Sequence, residues 1–167
     1  QSAQASALLE ASLARGEGGP DDLLLLADWA AARGEPGKAR GYYQRVLTVQ
    51  PQQPEARLGV VESWVAEGDL AHARQLLAAQ PPQLAADDSS AQRRMAAVWV
   101  ALGEHDQAAR LLERIAAQQP QPDPLLRRDA ARLVAQADPQ RALSLYAAAM
   151  ADAQLLERAA VSPRDDR

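Results

Sequence analysis

The chain has 167 residues and a net charge of −4, which is enough length for one ordinary domain with a sizeable core. It contains no Cys, which excludes a disulfide framework, a thiol nucleophile and a cysteine-ligated zinc site. The acidic balance argues against a nucleic-acid binder, which needs a basic face, and the short apolar runs predict no transmembrane helix.

The predicted elements are all helices. Large apolar residues recur at steps of three or four, and no stretch shows the alternation of a strand. The chain starts with Gln1 and not with Met, so we expect a piece of a longer protein. In chain order the helices are predicted near 3–14, 21–33, 36–49, 54–67, 70–79, 88–102, 105–118, 123–136 and 139–157.

One pattern repeats along the chain. It consists of a turn Gly, an Ala five residues later, and a large residue four positions beyond that Ala. The recurring Ala returns after 34, 35 and 34 residues, and the fourth copy has Ala in place of the turn Gly. The four copies are Gly34, Ala39, Tyr43; Gly68, Ala73, Leu77; Gly103, Ala108, Leu112; and Ala137, Ala142, Tyr146.

This period and pattern resemble the tetratricopeptide repeat, a helix–turn–helix unit. The resemblance implies an all-α fold, a right-handed superhelix of stacked helix pairs. We expect a single array over 1–161 and a flexible tail at 162–167. The array would comprise a leading half repeat at 1–15 and full repeats near 20–53, 54–88, 89–122 and 123–157. The weakest joint is predicted at 80–88, which contains Pro81 and Pro82.

The repeat has a direct physical interpretation. Gly34, Gly68 and Gly103 are predicted to end first helices in the left-handed conformation. Asp69, Asp106 and Asp138 fall at or near helix starts, where a carboxylate can cap free N–H groups. The recurring Ala is predicted to lie where two helices cross closely.

Catalytic signatures are missing from the sequence. No metalloprotease, hydrolase or nucleotide-binding motif occurs. His72 and His105 are expected on the surface, and the pair Asp87 and Asp88 is expected to be charge at a helix start. The sequence therefore predicts a protein that is not an enzyme and that uses no metal and no cofactor.

The inner faces of the first helices are the predicted binding surface. The charge on these faces changes from acidic to basic along the chain, and Arg93-Arg94 and Arg127-Arg128 occupy equivalent places 34 residues apart. Such a cluster can hold a carboxylate; alternatively, its members pair with acids such as Asp129 and Glu62. The predicted inner-face residues are Asp28, Ala32, Leu58, Glu62, Val65, Arg93, Ala97, Val100, Arg127, Ala131 and Val134, with Arg94 and Arg128 beside the equivalent arginines.

The three tryptophans are predicted to differ in role. Trp64 and Trp99 each precede a turn Gly by four residues, which favours packing between helices. Trp29 precedes its Gly by five residues and is one step out of phase. It is the candidate exposed aromatic residue of the chain.

The last repeat carries a second resemblance. The stretches 123–133 and 138–146 are similar to the late repeats of the outer-membrane subunit family of bacterial cellulose synthase. Seventeen Arg against one Lys suit a GC-rich bacterium, and the lack of Cys suits an oxidising periplasm.

The second resemblance implies a periplasmic scaffold without chemistry of its own, which links the synthase, the peptidoglycan layer and the outer-membrane pore. Its expected partners are envelope proteins, with peptidoglycan or glucan as further candidates, and the fragment itself would not insert into the membrane. The alternative is a generic adaptor, cytoplasmic or part of pilus or secretion assembly, that binds a peptide or helix in its groove.

Overall fold

The computed structural model describes residues 2–161 and shows nine helices and no strand over that range. The all-α repeat architecture is therefore confirmed, and the predicted flexible tail lies outside the described residues. The helices are α1 (Ser2–Ala14), α2 (Pro20–Ala32), α3 (Pro36–Val49), α4 (Pro54–Ala66), α5 (Leu70–Ala79), α6 (Ser89–Ala101), α7 (His105–Gln118), α8 (Pro124–Val134) and α9 (Pro139–Val161).

The chain divides into two compact units, 1–85 and 86–167. In the first unit, α2, α3, α4 and α5 pack each on the next, and α1 packs on α2. In the second unit, α6, α7, α8 and α9 pack in the same sequential way. The boundary falls inside the segment 80–88, and a single array over 1–161 stays a prediction.

Glycine ends the first helices as predicted. Gly34, Gly68 and Gly103 have φ angles of +73°, +81° and +78°, in the left-handed region. At the first of these turns the N–H of Glu35 donates to the carbonyl of Ala30 at 2.9 Å, which closes the end of the helix. Gly16 also ends a helix, α1, with a φ of +78°, although it lies outside the four copies of the repeat pattern.

The fourth turn is built differently because Ala137 replaces the glycine. No described residue other than glycine has a positive φ, since a Cβ in the left-handed region costs about 1–2 kcal/mol. Helix α8 instead ends at Val134, and the N–H of Asp138 donates to the Val134 carbonyl at 2.8 Å. Relative to the recurring Ala, α8 ends one residue earlier and begins one residue later than α2, α4 and α6, so it has 11 residues where each of those has 13.

Aspartates cap several helix starts. The carboxylates of Asp69 and Asp138 accept hydrogen bonds from the N–H groups of His72 and Arg141, at 3.1 and 2.9 Å. These two predicted caps are confirmed. Asp106 lies inside the first turn of α7 and binds arginines instead.

Small residues allow the helices to cross closely. Ala39, Ala73, Ala108 and Ala142 are all buried. Gly59 on α4 extends this rule, because a Cβ built there would lie 2.3 Å from the ring of Tyr43 on α3. The Tyr43 ring thus occupies the space that a side chain at residue 59 would need.

Besides the packing of α1 on α2, a polar cluster attaches the leading helix to α3. Glu10 on α1 accepts a hydrogen bond from the Tyr42 hydroxyl at 2.6 Å and an ion pair from Lys38 Nζ at 2.9 Å. The Tyr42 and Lys38 contacts lower the pKa of the Glu10 carboxyl below its usual value. The only lysine of the chain therefore fastens α1 to α3.

We expect Gly34→Ala to destabilise the fold by about 1 kcal/mol and Gly41→Ala to stabilise it by about 0.5 kcal/mol. Added methyl groups meet no atom within 4 Å at either position, so only the backbone conformation differs. Gly34 is left-handed, whereas Gly41 lies inside α3. Urea denaturation followed by circular dichroism measures both changes. Equal effects of the two substitutions would contradict the role assigned to the turn.

Candidate functional site

Asp28 is an exposed carboxylate on α2 with a structural contact of its own. Its Oδ1 accepts a hydrogen bond from the Tyr43 hydroxyl at 2.7 Å. Tyr43 is only 2% exposed, so its hydroxyl needs a partner in the fold. Asp28 therefore orients the same ring that packs on Gly59.

Glu62 lies half-buried on α4 and lines a small cleft of about 140 Å³ together with Gly34, Tyr43 and Ala66. Trp29 on α2 is also half-buried, so part of its ring is accessible to solvent. A contact of Trp29 with a ligand stays a prediction.

The second unit contains a shallow groove between α6 and α8, which we call the α6–α8 groove. Its volume is about 370 Å³, and its floor is apolar. The predicted inner-face residues Arg93, Ala97 and Val100 all line it, at the helical spacing of four and three. The full lining is Arg93, Ala96, Ala97, Val100, Leu112, Asp129, Arg132 and Leu133.

The face of α8 that lines the groove differs from the predicted one. Ala131 and Val134 were predicted on the inner face, and this is wrong, because both are buried in the core. The same correction applies to Leu58 on α4, which is fully buried. On α8, Asp129, Arg132 and Leu133 line the groove in place of Ala131 and Val134. The signal that could have found them is the apolar spacing of α8, which buries Leu126, Ala130, Ala131 and Val134 as one stripe.

The predicted arginines are engaged by separate carboxylates. Arg93 pairs with Asp123 at 3.1 Å, at the start of α8, and Arg128 lies 3.6 Å from Asp129. Arg127 pairs with Asp152 on α9 at 2.6 Å, so it faces the neighbouring helix. The arginines thus pair with neighbouring acids, as in the second of the two predicted alternatives, and do not form one cluster. Arg94 is half-buried on α6.

The first helices of the repeats are acidic in the first unit and basic in the second. In the first unit, α2 and α4 carry five carboxylates and one arginine. In the second unit, α6 and α8 carry five arginines and one carboxylate. The groove in the second unit therefore has a basic border above an apolar floor.

A wider cleft of about 830 Å³ lies where the α6–α7 turn faces the end of α8 and the start of α9. Arg141 borders it and donates to Asp106 and Glu113 at 2.5 and 2.6 Å. Asp106 is also bound by Arg110 at 2.8 Å. The hydrogen bond from Arg141 holds the pKa of the Asp106 carboxyl below its usual value. This network joins α7 to α9.

The two histidines lie on the surface. His72 Nδ1 is 2.6 Å from Asp69 Oδ2, and its ring stacks on Trp64 at 4.7 Å. His105 is exposed at the start of α7. Over residues 2–161, no three side chains of His, Asp or Glu come close enough together to hold a metal ion.

Comparison with known families and folds identifies the repeat. The tetratricopeptide repeat family model matches residues 30–96. Residues 30–96 are therefore tetratricopeptide repeats, and the described chain as a whole has the all-α fold of such repeats. Its fold is similar to the crystal structure of MamA, with a TM-score of 0.72 and 15% identity over 92% of this chain and 90% of that one. A thermophilic TPR protein of Thermus thermophilus gives a TM-score of 0.60 and 22% identity over 90% and 82% of the two chains.

Curated relatives are closer in sequence. Cellulose synthase operon protein C of Escherichia coli (strain K12) is 40% identical over 135 residues, which is 76% of this chain. The protein of the same name from Salmonella typhimurium is 40% identical over 149 residues, or 86% of this chain. The chain spans 11–12% of the length of these relatives.

A cation–π contact joins neighbouring tetratricopeptide repeats in the first unit. The guanidinium carbon of Arg40, on the second helix of one repeat, lies 3.8 Å from the centre of the Trp64 ring on the first helix of the next. Arg40 also pairs with Glu67 at 2.7 Å. Trp64 packs half-buried against the core, and Trp99 is likewise half-buried.

We expect Arg141→Gln to destabilise the chain at pH 7 and to have a smaller effect near pH 3. The pKa of Asp106 is lower in the folded chain than its usual 3.8, so its ion pair stabilises the fold above that pH. That contribution is lost as the pH falls through the lowered pKa. Urea unfolding at both pH values measures the effect.

The matched control for this prediction is Arg114→Gln, because Arg114 is an exposed arginine on α7, the helix that carries Asp106 and Glu113. The control should unfold like the unmodified chain at both pH values. A loss in Arg141→Gln that is as large at pH 3 as at pH 7 would exclude the assigned ion pair.

Proposed function

We propose that the chain is a non-catalytic protein-interaction segment of a bacterial complex that synthesises and exports cellulose or a related exopolysaccharide. The observation that carries this proposal is the 40% identity with cellulose synthase operon protein C over three quarters of the chain. The identity extends well beyond the repeat pattern, which by itself allows identities as low as the 15% seen with MamA.

A scaffold role fits the composition of the surface. The repeats present two clefts and a groove lined by alanine, leucine and paired charges. Ion pairs occupy most of the charged groups that line the larger cleft. In the active site of an enzyme, by contrast, the groups that transfer protons or attack as nucleophiles usually have strongly perturbed pKa values.

The proposed location is the periplasm, within a protein of the outer membrane that links the synthase, the peptidoglycan layer and the export pore. The absence of Cys from the chain suits an oxidising compartment. None of the helices in residues 2–161 is long and apolar enough to cross a membrane.

The α6–α8 groove is the proposed contact for a partner. Val100 at its floor is 39% exposed, and Arg93 and Arg132 stand at its border. Arg132 is only loosely held, 3.7 Å from Asp129. The groove therefore suits a segment that has apolar side chains and carboxylates, such as a helix of an envelope protein or the peptide stems of peptidoglycan. Of the other predicted contact residues, Arg94 and Arg128 belong to the same unit as the groove and Asp28 and Glu62 to the first unit, whereas Arg127 is paired with Asp152 on α9.

Direct contact with glucan has weaker support. Sugars stack on open aromatic faces, whereas the Trp64 ring is already in contact with Arg40 and His72. Trp29, the predicted candidate, is half-buried, and so is Trp99. Equilibrium dialysis with cello-oligosaccharides tests this contact, and we expect no retention.

The groove proposal predicts that Arg93→Glu with Arg132→Glu weakens binding at least about tenfold, which corresponds to about 1.4 kcal/mol. The probes are purified peptidoglycan sacculi and the solubilised cellulose synthase complex. Arg114→Glu, on the outer side of α7, is the matched control and should bind like the unmodified chain. Unchanged binding of the double variant to a probe that the chain does bind would exclude the groove.

The alternative function is a generic adaptor that binds a peptide or helix in the cytoplasm or in pilus or secretion assembly. The repeat fold alone favours it, because such arrays serve many partners. Fractionation of cells that express the tagged parent protein separates the two functions. Recovery in the periplasmic or outer-membrane fraction agrees with the export complex, and recovery in the cytoplasm overturns it.

A further inference from the structure

The small cleft that Glu62 lines in the first unit, which we call the Glu62 cleft, lies between α2 and α4. Half of its border consists of glycine and alanine, at Ala31, Gly34, Gly59 and Ala66, so little side-chain volume fills the space between the two helices. Both helices lie within the array, because α2 packs on α1 and α3, and α4 packs on α3 and α5. The opening is therefore a property of this pair of repeats.

The interior of the Glu62 cleft is apolar, and carboxylates stand at its border. The Tyr43 ring forms one wall, and its carbon that carries the hydroxyl is the atom nearest the Cβ position of Gly59. This hydroxyl donates to Asp28 at 2.7 Å, which brings a second carboxylate beside the cleft. Glu62 also interacts within the chain, but a carboxylate accepts about four hydrogen bonds and so keeps capacity for a further donor.

The charge around this cleft is reversed at the equivalent place of the last repeat. Counted back from the recurring Ala, the places of Gly59 and Ser63 on α4 correspond to Arg128 and Arg132 on α8. The first helices of the first unit carry five carboxylates and one arginine, Arg57, which bonds to a backbone carbonyl. A cation is therefore attracted to the Glu62 cleft and repelled from its counterpart.

We propose that the Glu62 cleft binds a lysine side chain of a protein partner. Its volume of about 140 Å³ gives room for about five non-hydrogen atoms, since one water takes about 30 Å³ in the liquid. A lysine side chain has this size, whereas arginine is longer and ends in a rigid plane. The apolar stem lies along Tyr43 and Ala66, and the ammonium group donates to the Glu62 carboxylate. This contact is additional to the α6–α8 groove, whose ligand has the opposite charge.

Nuclear magnetic resonance titration of the isotope-labelled chain with Nα-acetyl-lysine amide tests the proposal. A single side chain binds weakly, so we expect a Kd of about 1 mM to about 10 mM and a titration that extends to about 50 mM. The amide signals of Gly34, Gly59 and Ala66 should shift and saturate. Nα-acetyl-norleucine amide, which lacks the charge, and Nα-acetyl-arginine amide should each bind at least about fivefold more weakly.

Two substitutions test the apolar and the ionic part of the cleft separately. Ala66→Leu fills the cleft from an exposed position at the end of α4 and should abolish the shifts. Its matched control is Ala101→Leu, because Ala101 is exposed and ends α6 in the same way. Glu62→Gln keeps the size of the side chain and should weaken binding at least about threefold. Glu55→Gln, in the first turn of the same helix, should bind like the unmodified chain.

Three results would overturn the proposal. The first is the absence of saturable shifts with the lysine amide, and the second is equal binding of that amide by Ala66→Leu and Ala101→Leu. The third is binding of the norleucine or arginine amide that is as tight as binding of the lysine amide. Circular dichroism of each variant checks that the fold is retained. None of these results bears on the α6–α8 groove, because both walls of the Glu62 cleft belong to the first unit.

Discussion

Neighbouring helices of this chain cross at close range, and the small residues at the crossing points determine how the repeats pack. Each second helix buries an alanine against its first helix, at residues 39, 73, 108 and 142. A larger side chain there would separate the backbones and open space in a core that packs as densely as an organic crystal. Gly59 allows an equally close approach between repeats, because the Tyr43 ring lies directly on its backbone. Asp28 then fixes the hydroxyl of that ring, so a carboxylate predicted for binding also serves the packing.

Much of the fold could be predicted from the sequence because local chemistry repeats with the period of the helix pair. The turn glycines, the capping aspartates and the buried alanines each follow from one residue type at one place. The end of α8 could not be predicted in the same way. Ala137 resists the left-handed conformation, so the helix stops early at Val134 by a turn that leaves no simple sequence signal. The extension of α9 to Val161 was also missed, since Ala and Leu beyond residue 157 continue a helix that no glycine ends.

The candidate site was predicted less completely than the fold. Arg93, Ala97 and Val100 line the groove because α6 keeps the phase of the repeat. On α8 the inner face depends on which apolar stripe is buried, and here it is displaced toward Asp129 and Arg132. The partners of the arginines lie on other helices, as Asp152 does for Arg127. Such pairings depend on tertiary distances, which a single sequence does not contain.

The segment that joins the two compact units has a consequence for limited proteolysis. From Gln75 to Gln92 the chain contains no Lys and no Arg, although Arg is otherwise frequent. Trypsin therefore has no bond to cleave in the joint and attacks only within or beside the helices. Proteases that cleave after small or apolar residues do find bonds there, at Leu84 and the exposed Ala85 and Ala86. Cleavage by such a protease therefore reports opening of the joint, whereas cleavage by trypsin reports fraying of the repeats.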